Sequence, residues 1–230
     1  VSESAPEQHA YLAIFDHDGV LVDSLPFHER AWLELGRREN LDITVDFVRA
    51  TFGMTNAMIL ERLLGAGLPP AEVARLGDLK EACYRDVARG SITLMSGVPE
   101  LLDTLRNLGF QLGIGSSGPR ANLQLTVTEC GLQDHFTAIV GVEEIERGKP
   151  DPEVFLKVAG RARVIPRRTV VFEDAPVGVR AAKAAGMLAI GVGSTHPLET
   201  LAEAGADVLV PHLEGFDVSG LMERLTARSA

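Results

Sequence analysis

Short apolar runs alternate with helix-period stretches along most of this chain. The first run, "YLAIF" at residues 11–15, is apolar at every position, as in a strand buried on both faces of a parallel sheet. The runs "FQLGIG" (110–115), "FTAIVG" (136–141), "TVVFE" (169–173), "MLAIGVG" (187–193) and "ADVLV" (206–210) repeat it. Between them lie amphipathic stretches that end at glycine. In "VPELLDTLRNLG", Pro99 sits at the helix start, Leu101, Leu102, Leu105 and Leu108 form one face, and Gly109 is the stop. "APVGVRAAKAAG" has the same form and stops at Gly186. The alternation predicts an α/β fold with a doubly wound parallel sheet.

Residues 25–90 break the alternation. "PFHERAWLELGRREN", "TVDFVRATFG", "TNAMILERLLGAG" and "PAEVARLGDLKEACYRDVARG" all carry helical periodicity with no convincing strand among them. They predict an all-helical cap over 25–90, inserted into an α/β core made of 10–24 and 91–230. The small residues of "SITLMSGVP" form the return linker. Trp32, Phe47 and Phe52 are expected in the cap interior. The polar opening, residues 1–9, reads as a disordered tail without a signal-peptide core.

With 230 residues, 46% of them hydrophobic and 23% charged, the chain has the balance of a soluble globular protein. Its net charge of −10 argues against nucleic acid or an anionic membrane as partner, since both need a basic face. No apolar run approaches the roughly 18 residues of a membrane span. Cys83 and Cys130 have no metal-ligand spacing and read as lone thiols of a reducing cytoplasm. No exposed apolar stripe stands out, so a monomer is expected.

The chemistry concentrates at strand ends. "AIFDHDGVLVDS" closes the first run with Asp16 and Asp18 beside Gly19, and adds Asp23. Carboxylates so close repel one another unless a cation or a reaction needs them. "GIGSSG" ends the second run with Ser116 and Ser117, "ERGKPDPE" brings Lys149 after the third, and "FEDAPVG" ends the fourth with Glu173 and Asp174. Ligands of open α/β sheets bind outside the carboxyl ends of strands. Strand alternation sends Asp16 and Asp18 the same way. Several carboxylates around one lysine suit a hard cation such as Mg²⁺. Any one of these stretches alone is an ordinary turn or helix cap; the four together, each after a strand, are not. "GIGSSG" also matches G-x-G-x-x-G formally. It is not on the first strand, Pro119 and Arg120 follow at once, and no acid closes a strand about 20 residues on, so its serines and the next helix start read as phosphate donors.

These residues resemble the haloacid dehalogenase-like superfamily, in its phosphatase and phosphomutase branch with a helical cap. The resemblance rests on "DHDGV", a serine after the second strand, a lysine before proline and the paired acid, and covers residues 10–215. It implies that Asp16 is the nucleophile on phosphorus. Asp18 would be the general acid for the leaving oxygen and then the base for the incoming one, which calls for a raised pKa. It implies Mg²⁺ on Asp16, the Asp18 backbone carbonyl and Asp174, with Glu173 beside them. Ser116 and Lys149 would hold phosphoryl oxygens of a small phosphorylated substrate. An acid at Asp18 argues for phosphate chemistry over dehalogenation.

Sugar phosphomutases of this branch, such as β-phosphoglucomutase, resemble the chain in His28, ten residues after Asp18, and in Lys80 with Tyr84. Two departures favour a phosphatase. Asn56 stands where the branch has an arginine for the distal phosphate, and an amide does not replace a guanidinium fork. Gly118, Pro119 and Arg120 stand where Ser-Lys-Asn is usual, although Arg120 remains a candidate for an anion. The expected substrate contacts are therefore His28, Thr55, Asn56, Lys80, Ser117 and Arg120, with Met54 near them. His28 and Lys80 also have plain readings, as a helix histidine and as part of a solvated face. A third reading, a binding protein that lost turnover, conflicts with the complete set of acids.

Overall fold

The computed structural model describes residues 11–229. The expected tail at residues 1–9 lies outside them. Six strands form one parallel sheet: β1 (Leu12–Phe15), β2 (Gln111–Gly115), β3 (Ala138–Val140), β4 (Thr169–Glu173), β5 (Leu188–Val192) and β6 (Val208–Val210). Their order is β3-β2-β1-β4-β5-β6. Each matches one of the apolar runs, trimmed by up to two residues at either end.

Alternate side chains of β1 explain why the run has no polar position. Ala13 and Phe15 pack on one face with α5 (Val98–Asn107), α6 (Arg120–Glu129) and α10 (Val218–Ser229). Leu12 and Ile14 pack on the other with α7 (Glu153–Ala162), α8 (Pro176–Ala184) and α9 (Leu198–Glu203). Both sides of the strand are therefore core. Phe15 stacks on Phe172 of the neighbouring β4 at 4.7 Å between ring centroids.

From β1 the chain builds β2 and β3 on one side, then returns to add β4, β5 and β6 on the other. This reversal leaves a crevice beyond the carboxyl ends of β1 and β4, the general ligand position of such sheets.

The insert between β1 and β2 begins with α1 (Leu25–Glu39), α2 (Val45–Thr51), α3 (Asn56–Leu64) and α4 (Pro70–Ala88). Trp32, Leu35, Val48, Ile59, Leu60 and Leu76 form its own apolar centre, with Phe47 packed against it. A smaller cluster of Ala31, Cys83, Tyr84 and Ala88 joins α1 to α4 and touches Leu125 of the core. Outgoing and returning connections meet where Val22 bridges Leu94 in antiparallel fashion. Both cysteines are free. No helix among the described residues is long and apolar enough to cross a membrane.

Candidate active site

Asp16 follows β1 directly, and its N–H still donates to Phe172 O of β4 at 3.0 Å, so the ladder fixes the residue. Glu173 ends β4 and Asp174 comes next. Adjacent strand ends thus bring three buried carboxylates together, with ligand oxygens within 4.8 Å of one another. Lys149 reaches in from the segment after β3. Its Nζ donates to Asp16 Oδ1 at 2.7 Å and to Glu173 Oε1 at 2.5 Å, and it lies 4.8 Å from the Phe155 ring centroid. Between its two carboxylates the lysine is held above its ordinary pKa, although burial opposes this.

One cation among three anions leaves the cluster short of positive charge. Burial, and then the neighbouring Glu173 and Asp16 carboxylates, push Asp174 well above the usual carboxylate range. Burial raises Glu173 to about 7, with Lys149 opposing and Asp16 adding to the rise. Asp16 is raised as well, mainly by burial. Asp174 Oδ2 is buried with no hydrogen-bond partner, a condition that costs about 1–3 kcal/mol or more for a charged group. Gly19, at φ +77°, passes over that oxygen so closely that a Cβ would overlap it. Gly178, at the start of α8, is pressed against the Glu173 carboxyl in the same way. Hard oxygen donors, an orphaned oxygen and a bare backbone beside it all fit a small divalent cation.

Asp18 faces the same cleft but belongs to a different network. Its Oδ1 accepts from Ser24 Oγ at 2.5 Å and lies 2.9 Å from His17 Nδ1 and 3.2 Å from His28 Nε2. Burial acts to raise its pKa, yet His17 and His28 outweigh it and hold the carboxyl well below the ordinary range. This runs against the expectation of a raised value: the two histidines favour the ionised form of Asp18. The Asp18 side chain is also outside the cluster of three acids, so any part in holding a metal falls to its backbone carbonyl. His17 in turn sets Nε2 2.7 Å from Thr126 Oγ1 of α6.

Ser116, Ser117 and Gly118 line the cleft after β2. Ser116 is buried, and its Oγ accepts the Gly118 N–H at 3.0 Å. Opposite them stand His28, Trp32, Asn56, Lys80 and Glu81 from the insert. Lys80 is 2% exposed, which overturns its reading as part of a solvated face. Its Nζ lies 2.7 Å from His28 Nδ1 and donates to Glu81 Oε1 at 2.8 Å, over the rings of Trp32 and Tyr84. His28 is buried too, and burial with Lys80 beside it lowers its pKa. Asn56 Nδ2 donates to Glu81 Oε1 at 2.8 Å.

Three expected positions change. Arg120 points away: its Nη1 donates to Ile139 O at 2.9 Å and pairs with Glu144 at 3.1 Å, because the helix that Pro119 starts turns its first side chain toward β3. Thr55 caps α3, its Oγ1 accepting from Met58 N at 3.4 Å, and is not in the cleft lining. Phe52 leaves the insert core to line the cleft, its ring 5.6 Å from that of His28. Met54 also lines the cleft.

Sequence reasoning missed His17, Ser24, Glu81, Asn122 and Thr126. His17 carried a usable signal, a polar residue framed by two acids at the end of a buried strand. Glu81 and Asn122 carried none, since their pairing spans 41 positions.

The site's chemistry matches what comparison with other proteins finds. The sequence profile of haloacid dehalogenase-like hydrolases matches residues 13–192. The chain is 33% identical over 208 residues to the validoxylamine A 7'-phosphate phosphatase of Streptomyces hygroscopicus subsp. limoneus, covering 88% of this chain and 93% of that protein. It is 30% identical over 211 residues to the chloroplastic 5-amino-6-(5-phospho-D-ribitylamino)uracil phosphatase of Arabidopsis thaliana, covering 91% of this chain but only 56% of that longer protein. The crystal structure of β-phosphoglucomutase from Clostridium difficile superposes with a TM-score of 0.83 at 26% identity, over 95% of this chain and 98% of the other. With its profile match across more than half the sequence and its shared fold, the chain belongs to the haloacid dehalogenase-like hydrolases.

Proposed function

We propose that the protein is a magnesium-dependent phosphatase that hydrolyses a small phosphorylated metabolite through an aspartyl-phosphate on Asp16. The observation that carries this reading is the setting of Asp16, at the crevice of the sheet, with Lys149 on one oxygen at 2.7 Å and two further acids grouped with it. Lys149, Ser116 and Ser117 hold the phosphoryl oxygens. An Asp16 oxygen attacks phosphorus as the bond to the leaving oxygen breaks, which puts the phosphoryl group on Asp16. Water then attacks the same phosphorus, releasing phosphate and restoring the carboxylate. Asp16, Asp174 and the Asp18 carbonyl would hold Mg²⁺, with Glu173 beside them, and the ion would supply the charge neutralisation that phosphoryl transfer needs.

Asp18 handles protons in both halves. Its ionised form suits the second, where it takes a proton from the attacking water. For the first it must be loaded, and His17, with Nδ1 at its Oδ1 and a pKa raised against burial by the two neighbouring carboxylates, is the neighbour that delivers the proton. The likeness to the two phosphatases named above supports the reading.

A sugar phosphomutase is the second reading. The buried His28–Lys80 pair favours it, with the likeness to β-phosphoglucomutase. Asn56 weighs against it, because its amide is spent on Glu81.

The test is a panel of sugar phosphates and p-nitrophenyl phosphate in Mg²⁺ and in EDTA, read by phosphate release and by ³¹P NMR. Phosphate is expected in Mg²⁺ alone. Release from no ester defeats the proposal. A sugar 1-phosphate converted to its 6-phosphate without free phosphate establishes the mutase.

A further inference from the structure

We infer that Glu81 closes the insert end of the cleft to a second anion, so that the substrate is a phosphate monoester whose remainder carries no further negative charge. This rests on the phosphatase reading and names the substrate class for the same site.

Lys80 is the one lysine or arginine that the insert contributes to the cleft lining among the described residues. A free lysine there would be a natural grip for a distal phosphate or carboxylate. It is not free. One donor goes to His28 Nδ1 at 2.7 Å, one to Glu81 Oε1 at 2.8 Å, and the ammonium sits 5.4 Å and 5.6 Å from the ring centroids of Trp32 and Tyr84.

Glu81 is equally committed. It is 6% exposed, its Oε1 also accepts from Asn56 Nδ2 at 2.8 Å, and its Oε2 accepts from Asn122 Nδ2 at 2.6 Å. Asn122 Oδ1 accepts in turn from Arg85 Nη1 at 3.1 Å, and Arg85 itself is outside the cleft lining. Lys80, His28 and Asn56 keep the Glu81 carboxyl ionised against the effect of burial. The insert end therefore holds one positive and one negative charge in contact. The rest of its wall is Trp32, Val48, Phe52, Met54 and Ile59. An anionic remainder would meet the Glu81 carboxylate, this apolar wall and a lysine whose charge Glu81 already matches, whereas an uncharged one would meet a surface that costs it little desolvation.

The experiment compares matched esters that differ by one anion: phenyl phosphate with 4-carboxyphenyl phosphate, and glucose 6-phosphate with glucose 1,6-bisphosphate. The wild-type protein should favour the ester without the second anionic group in each pair by at least about tenfold in kcat/KM, since juxtaposed like charges reject the wrong partner. Glu81→Gln keeps the shape and removes the charge, and should shrink that ratio by about tenfold. A change that merely loosened the insert would lower both esters together and leave the ratio where it was. Should the variant fail to fold, calorimetric affinities of Asp16→Asn for the same pairs give the comparison with Glu81 intact.

Equal use of both esters, a preference for the bisphosphate, or an unchanged ratio in folded Glu81→Gln overturns the inference while leaving the phosphatase reading in place. No phosphate from any ester, p-nitrophenyl phosphate included, removes both.

Discussion

The two ends of the cleft bury charge in opposite ways. At the strand ends Asp16, Glu173 and Asp174 share a single lysine, and one oxygen of Asp174 has no partner. At the insert end Lys80 and Glu81 balance one another, and each Glu81 oxygen is paired. The first arrangement is incomplete as protein alone and gains from a ligand that brings positive charge. The second is complete, and on the inference drawn for Glu81 it acts by what it declines to bind. Reactivity and selectivity are thus divided between a frustrated cluster and a satisfied one.

The sharpest way to break this contrast is Asp16→Asn. Loss of the nucleophile should lower turnover by about 10⁴-fold or more in a phosphate-release assay. The thermal midpoint should stay level or rise, because an unbalanced negative charge disappears while Lys149 keeps Glu173. A large fall in midpoint would mean that the strand-end cluster is not frustrated. Next in size is Gly19→Ala. A side chain at φ +77° against Asp174 Oδ2 should weaken Mg²⁺ binding by about 10–100-fold, seen as a shift in the Mg²⁺ titration of activity. An unshifted titration would separate Gly19 from the metal.

At the satisfied end, Asn122→Ala strips the partner from Glu81 Oε2. Urea unfolding should show a loss of about 1–3 kcal/mol, the reverse of what Asp16→Asn does. No loss would mean that the insert end is not held by this bridge. The smallest effect concerns pH. Glu173, raised to about 7 from an ordinary 4.5, keeps its proton in the folded protein where the unfolded chain has released it. Its contribution to stability therefore falls as pH climbs from 4.5 to about 7 and is flat beyond. A bound cation displaces that proton, so the gap in thermal midpoint between Mg²⁺-loaded and EDTA-treated protein should widen over the same interval. A gap independent of pH would exclude this coupling.

The strand ends were legible in the sequence because their logic is local. An apolar run fixes the strand, and the residue after it fixes what enters the crevice; Asp16, Ser116 and Asp174 needed nothing more. The insert end was less so. The periodicity of α4 gives helix but not which side of it the core covers, and Lys80 stays open between a substrate contact and a solvated face until Trp32 and Tyr84 are known to enclose it. Arg120 and Thr55 failed for the same reason: both begin helices, and the direction of a first-turn side chain depends on neighbours such as Glu144 and Gly148 that spacing does not reveal. The protonation of Asp18 was misjudged because its three neighbours on Oδ1 were not visible together.

Ser24 and His28 both touch that Asp18 oxygen, and they stand at the threshold and in the first turn of α1, just beyond the Val22–Leu94 crossing. Two of the three contacts on that oxygen therefore come from the stretch that leads into the helical layer. The segment that carries the chain out of the sheet also furnishes the surroundings of Asp18, so a change in how the roof is seated would be felt at the floor.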